Sequence, residues 1–250
     1  MLTNNQLLRS VWQKMFSFGP FFGVALILLL GVPRFVLVLQ ANITGNYTLV
    51  PIIFILMWVA PLIFLTRKGR RYIGITKPKR YYWLVISFFL GIAICFLFYF
   101  LSLMIFERNI SNSFVYISKS YNINGTLTGI DKLVYFIIYS ITAVTFSPVG
   151  EELFYRGIVH GSFVERLGHY KASFIDSGAF ALTHLAHFGI IYHLGGWDFL
   201  IFPSLLWIAS MFLVSQLFFL CRIKSGTLLG SILCHAGYNL AMMYVIFYQL

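Results

Sequence analysis

Charge is what this sequence has least of. Only 10% of its 250 residues are Asp, Glu, Lys or Arg, and the acids number seven; a soluble domain carries about 25% charged residues. So few charges cannot cover the water-facing surface of a chain this long, which excludes an ordinary soluble globule. Cysteine is scarce as well. Cys95, Cys221 and Cys234 form no CxxC pair and are odd in number, so neither a disulfide framework nor a cysteine-based zinc site is indicated. They read as small apolar core residues. No A-x-A cleavage site follows the first apolar run, which therefore reads as a retained span and not a removed signal peptide.

What the chain has is apolar surface. It is 60% hydrophobic and 19% aromatic, with a mean hydropathy of +0.86. Stretches of about 20 apolar residues, enough to cross a ~30 Å hydrocarbon core, recur throughout. They predict an all-α polytopic membrane helical bundle of about seven transmembrane helices, at about 16–40, 50–66, 81–106, 132–164, 173–193, 199–221 and 225–248. No repeat or linker divides the chain, so 1–250 reads as a single integral membrane domain.

The net charge of +11 belongs to topology, not to nucleic-acid binding. Seven cations, Arg67, Lys68, Arg70, Arg71, Lys77, Lys79 and Arg80, crowd into one loop with no base-stacking aromatic platform among them. Such loops mark the cytoplasmic side and contact anionic membrane lipids. With the N-terminus cytoplasmic, that side also collects Arg9, Lys14, Arg166, Lys171, Arg222 and Lys224. Only Arg108, Lys119 and Lys132 fall outside, and the C-terminus ends outside. Arg34 and Arg156 lie within spans. The outer loops hold N-x-[ST] sequons at Asn42, Asn46, Asn109 and Asn124, read as chance matches in polar loops.

The fourth apolar segment, 132–164, would be roughly 50 Å long if fully helical. Pro148 and Gly150 interrupt it, predicting a kink. Directly after them the apolar pattern breaks in SPVGEELFYRGIVHG. Ionisable groups at mid-membrane each cost about 2.5–3.5 kcal/mol, so Glu151, Glu152 and Arg156 need partners. Glu152 and Arg156, at i and i+4, can pair structurally. Glu151 points elsewhere with no basic partner at helical spacing and is left available. Two later segments also carry polar groups, His184 in AFALTHLAHF and His235 with Asn239 in LCHAGYNL. Counted at 1.5 Å per residue, Glu151, His184 and His235 lie at ~20, ~16 and ~15 Å from the cytoplasmic ends, hence at one level. A carboxylate and an imidazole together can activate water, and a second imidazole with an amide can bind an oxyanion. His187 shares a face with His184 and reads mainly as packing. His160, His169 and His193 are expected near the interfaces.

These three segments resemble the CAAX-protease and bacteriocin-processing (CPBP, or Abi) family of intramembrane proteases, whose pattern is EExxxR, FxxxH and HxxxN. Here they are Glu151-Glu152-x-x-x-Arg156, Phe180-x-x-x-His184 and His235-x-x-x-Asn239, in a motif-bearing core of about 132–248. The resemblance implies that Glu151 is the general base with His184 assisting, that His235 and Asn239 hold the oxyanion, and that Glu152 and Arg156 are a structural pair. It implies an endopeptidase acting on a membrane-embedded or lipidated peptide, since eukaryotic members trim prenylated CAAX proteins and many bacterial ones resemble bacteriocin-immunity or processing proteins. No cofactor is expected. The alternative is a divalent metal such as zinc on Glu151, His184 and His235, a ligand set known from catalytic zinc sites. The alternative functions are a non-catalytic immunity or scaffold protein of the same fold, and a proton-coupled transporter.

Overall fold

A computed structural model describes residues 6–121 and 128–250; the sequon at Asn124 lies outside the described residues. A short turn of helix, α1 (Ser10–Gln13), is tied to the fourth helix by Arg9 and Trp12 side chains on the carbonyls of Leu62 and Ile63. Helix α2 (Pro20–Leu26) opens with proline, whose fixed φ suits a first helical turn. It passes through a π-helical turn, Ile27–Gly31, into α3 (Val32–Thr44). Gly45, at φ +68, ends α3 in the left-handed conformation that glycine adopts most easily.

Helix α4 (Val50–Phe64) returns to the basic end, where α5 (Arg67–Tyr72) is capped by the Thr66 side chain. The long α6 (Tyr82–Phe106) and the short α7 (Ser113–Lys119) follow. Helix α8 (Gly129–Glu151) continues through a π-helical stretch, Glu152–Val159, into α9 (His160–Thr183). A hairpin, β1 (Ile190–His193) with β2 (Gly196–Phe199), precedes α10 (Ile201–Ser225) and α11 (Leu228–Tyr248).

Among the described residues, five helical stretches are long and apolar enough to cross a membrane: Pro20–Thr44, Tyr82–Phe106, Gly129–Ala186, Ile201–Ser225 and Leu228–Tyr248. The expected seven reduce to five by this measure for two reasons. Helix α4 has only 15 residues. The spans expected at 132–164 and 173–193 are counted together as one stretch of 58 residues although the chain reverses between them, and residues 190–193 of the second are strand. That stretch is not straight. Gly168 has φ 74 and ψ 167, and His160 meets Asp176 at 2.7 Å, whereas 16 residues of unbroken helix would separate them by about 24 Å. The chain doubles back at Gly168. Pro148, for its part, does not end α8; the helix runs on and changes to π bonding at Glu152.

Two contacts fix α11, which carries two of the sequence-marked residues. A Cβ on Gly91 of α6 would lie 1.8 Å from the Cys234 carbonyl, and one on Gly237 would lie 2.1 Å from the Phe88 carbonyl. The helices touch backbone to backbone, as small residues allow in membranes. At the basic end, Leu228 N–H donates to the Gly74 carbonyl at 3.0 Å and Thr227 Oγ1 to the Thr76 carbonyl at 2.7 Å. Arg222, buried at the end of α10, donates to the carbonyls of Arg156 and Ile73. The loop after α5 thus clamps the turn from which α11 starts. Large apolar side chains such as Leu28, Val36, Phe89 and Ile141 face outward, while Arg34, Glu151, Glu152, Arg156 and Asp176 are buried inside.

Candidate active site

Glu151 sits at the end of α8, fully buried. Gly150 beside it lets α4 come close, since a Cβ there would meet the Phe54 carbonyl at 2.7 Å. Glu151 Oε1 accepts from Arg34 Nη2 at 2.7 Å and from Ser147 Oγ at 3.3 Å. Glu151 Oε2 makes no hydrogen bond among the described residues and lies 4.0 Å from His184 Nε2. His184 begins the 3₁₀ turn His184–Ala186. Its Nδ1 is 2.7 Å from the Phe180 carbonyl, and only a protonated Nδ1 can bond a carbonyl oxygen. In a neutral ring Nε2 is then the acceptor. Trp207 holds the turn by donating Nε1–H to the His184 carbonyl at 2.9 Å.

The expectation that Glu151 has no basic partner is corrected here. Its partner, Arg34, lies 117 residues earlier on α3, beyond the reach of any spacing rule. Arg34 is 2% exposed, donates Nη1–H to Thr183 Oγ1 at 3.0 Å, and places Nη2 3.4 Å from both His184 Nε2 and His187 Nε2. His187 is therefore in the cluster. The one signal in the sequence was a lone cation inside an apolar span, which by itself suggests a buried partner.

Glu152 and Arg156 form a second centre. Arg156 Nη1 lies 3.2 Å from Glu152 Oε1, with both side chains fully buried. The pair is not closed on itself. His235 Nδ1 is 3.0 Å from the same carboxylate oxygen, so Glu152 orients the imidazole of α11. Arg156 also donates to Ser215, approaches Asp176 Oδ1 at 3.9 Å, and lies 4.3 Å over the Phe180 ring. Asp176 accepts from His160, whose Nε2 is 3.1 Å from His169 Nδ1. His160 is thus fully buried within the protein, where the reversal at Gly168 folds the second half of α9 over it. Asp176, an acid inside the expected span 173–193, carried the same signal as Arg34 and was missed; Ser215 carried none, because a single serine in an apolar helix is unremarkable.

The two centres meet at a cavity of about 630 Å³ lined by Arg34, His184, His187, His235 and Asn239, with Phe180 and Phe218 packed on the imidazoles. The His235 ring stacks on Phe218 at 4.6 Å. Asn239 donates one amide hydrogen to the Ala143 carbonyl at 2.9 Å, leaving the other for the cavity. The cavity reaches the turn after α3, where burial pushes the Tyr47 phenol up to about 12 and keeps it a neutral donor to Asn42 Oδ1. Asn42 itself also donates to the Ala186 carbonyl at 2.8 Å.

The ligand set Glu151, His184 and His235 does not fit a metal well. Among the described residues no three His, Cys, Asp or Glu side chains gather as metal ligands. His235 turns its Nδ1 to Glu152, and a guanidinium already stands 2.7 Å from the Glu151 carboxylate, where a second cation would be repelled.

No curated protein and no solved structure matches the chain. A family model, type II CAAX prenyl endopeptidase Rce1-like, matches residues 133–241, the segment from α8 into α11 that carries Glu151, His184, His235 and Asn239. Over that segment this multi-pass membrane protein is similar to the Rce1-like CAAX protease family.

Proposed function

We propose that the protein is an intramembrane endopeptidase in which Glu151 and His184 activate water and His235 with Asn239 hold the tetrahedral oxyanion. The observation that carries this reading is the pair of acceptors, Glu151 Oε2 and His184 Nε2, facing each other across 4.0 Å. One water donating to both at about 2.8 Å sets its two acceptors roughly 4–4.5 Å apart. The water oxygen attacks the scissile carbonyl carbon as Glu151 takes its proton, which then passes to the leaving amine. The oxyanion receives the second amide hydrogen of Asn239 and Nε2–H of His235. With Nδ1–H already given to Glu152 at 3.0 Å, His235 donates from Nε2 only as an imidazolium.

The substrate is a peptide in the membrane or carrying a lipid, CAAX-like or bacteriocin-like in kind. The mechanism is metal-free, so turnover should survive strong chelators; loss of activity restored by zinc would favour the metal alternative. In cells, Glu151→Gln keeps the shape and removes the base. Uncut peptides should accumulate in the membrane proteome while expression stays normal. An unchanged proteome, with any phenotype intact, would favour the non-catalytic immunity or scaffold reading instead.

A further inference from the structure

We propose that Arg34, contributed by a helix outside the family-matched segment, is a positioning residue that sets the Glu151 carboxylate and the His184 turn in their working geometry. The inference rests on the endopeptidase reading above. Arg34 grips both halves of the water-activating pair at once. Its Nη2 holds Glu151 Oε1 at 2.7 Å, which leaves Oε2 as the oxygen turned to His184. Its Nη1 holds Thr183 Oγ1 at 3.0 Å, one residue before His184. A buried carboxylate without a cation is strongly unfavourable, and the cation nearest on its own helix, Arg156, is engaged with Glu152 and Ser215.

The local backbone is shaped for this reach. The π-helical turn Ile27–Gly31 ends three residues before Arg34, and π turns recur at functional sites. Gly31 packs beside the Thr183 methyl, which a Cβ there would meet at an ordinary contact distance of 3.4 Å. The Phe54 ring, 5.7 Å from the guanidinium carbon, covers the pair from α4.

Two measurements test this. The first is a thermal-stability cycle of Arg34→Met, Glu151→Gln and the double variant in the purified full chain. Each single variant should melt lower, and the double should recover most of the loss, as expected when a buried pair is broken from one side or removed whole. Additive losses would overturn the pairing.

The second is kinetics on a peptide that the unmodified protein cleaves. Arg34→Met should lower kcat about 10²–10³-fold, the scale of losing a preorganising donor, with KM within threefold. Arg34→Lys should lose less, and guanidinium added to Arg34→Ala should restore part of kcat, since the residue lines the cavity. Equal losses in Lys and Met variants without guanidinium rescue would mean a structural role only. Near-normal kcat in Arg34→Met would remove the role while leaving the protease intact. Absence of turnover in the unmodified protein would sink the protease reading and this role with it.

Discussion

Glu152 is bonded from two sides, by Arg156 and by His235, and the two bonds do different things. The first neutralises charge in an apolar interior; the second aims an imidazole at the cavity. They can be separated by substitution. Glu152→Gln breaks a fully buried ion pair from one side, which costs about 3–5 kcal/mol, and should lower both melting temperature and turnover. Glu152→Gln combined with Arg156→Met should regain stability but not turnover, because His235 still lacks its carboxylate. A double variant that recovers cleavage would show that Glu152 is purely structural. At this scale the sequence was informative where motifs are local. Glu152 with Arg156, and His235 with Asn239, are each four apart and could be placed on a helix face beforehand. Arg34 could not, because its partner lies on another helix and periodicity carries no information about which helices touch.

Helix α11 is set against α6 by glycines that let the two backbones touch. Alanine at Gly91 or Gly237 would drive a methyl into a facing backbone carbonyl, and overpacking of this kind costs about 1–3 kcal/mol. Gly91→Ala should therefore reduce cleavage although α6 bears none of the proposed catalytic groups, through displacement of His235 and Asn239. A methyl at Gly178 in α9 would instead meet nothing within 4 Å, and Gly178→Ala should be neutral or stabilise by about 0.5–1 kcal/mol. Equal behaviour of the two variants, read by thermal melting and turnover, would refute the packing argument. The elements themselves were only partly legible. Apolar runs located the helices and left the reversal at Gly168 between two expected spans, but hydropathy does not register a shift from α to π bonding. The two-stranded hairpin was missed as well.

Across the whole molecule, the basic loop after α4 and the α10–α11 turn lie together through Arg222, Gly74 and Thr227, and Tyr170, beside the reversal at Gly168, packs on Phe219 of α10. If that end is cytoplasmic, as the charge bias implies, a lone cysteine at Lys68→Cys should react with an impermeant thiol reagent only from the cytoplasmic side, and one at Thr48→Cys only from outside. The native cysteines are all buried and should stay silent. Labelling with the opposite sidedness would reverse the assignment.

The ion pair between α3 and α8 also bears on how such proteins diversify. A chain could keep every signature residue between α8 and α11 and still lose competence by a single neutral replacement near its beginning, in a stretch where helices otherwise look interchangeable. Where other signature-bearing chains lack an arginine at that depth, a different cation must anchor the acid, and finding which helix supplies it would separate working members from vestigial ones.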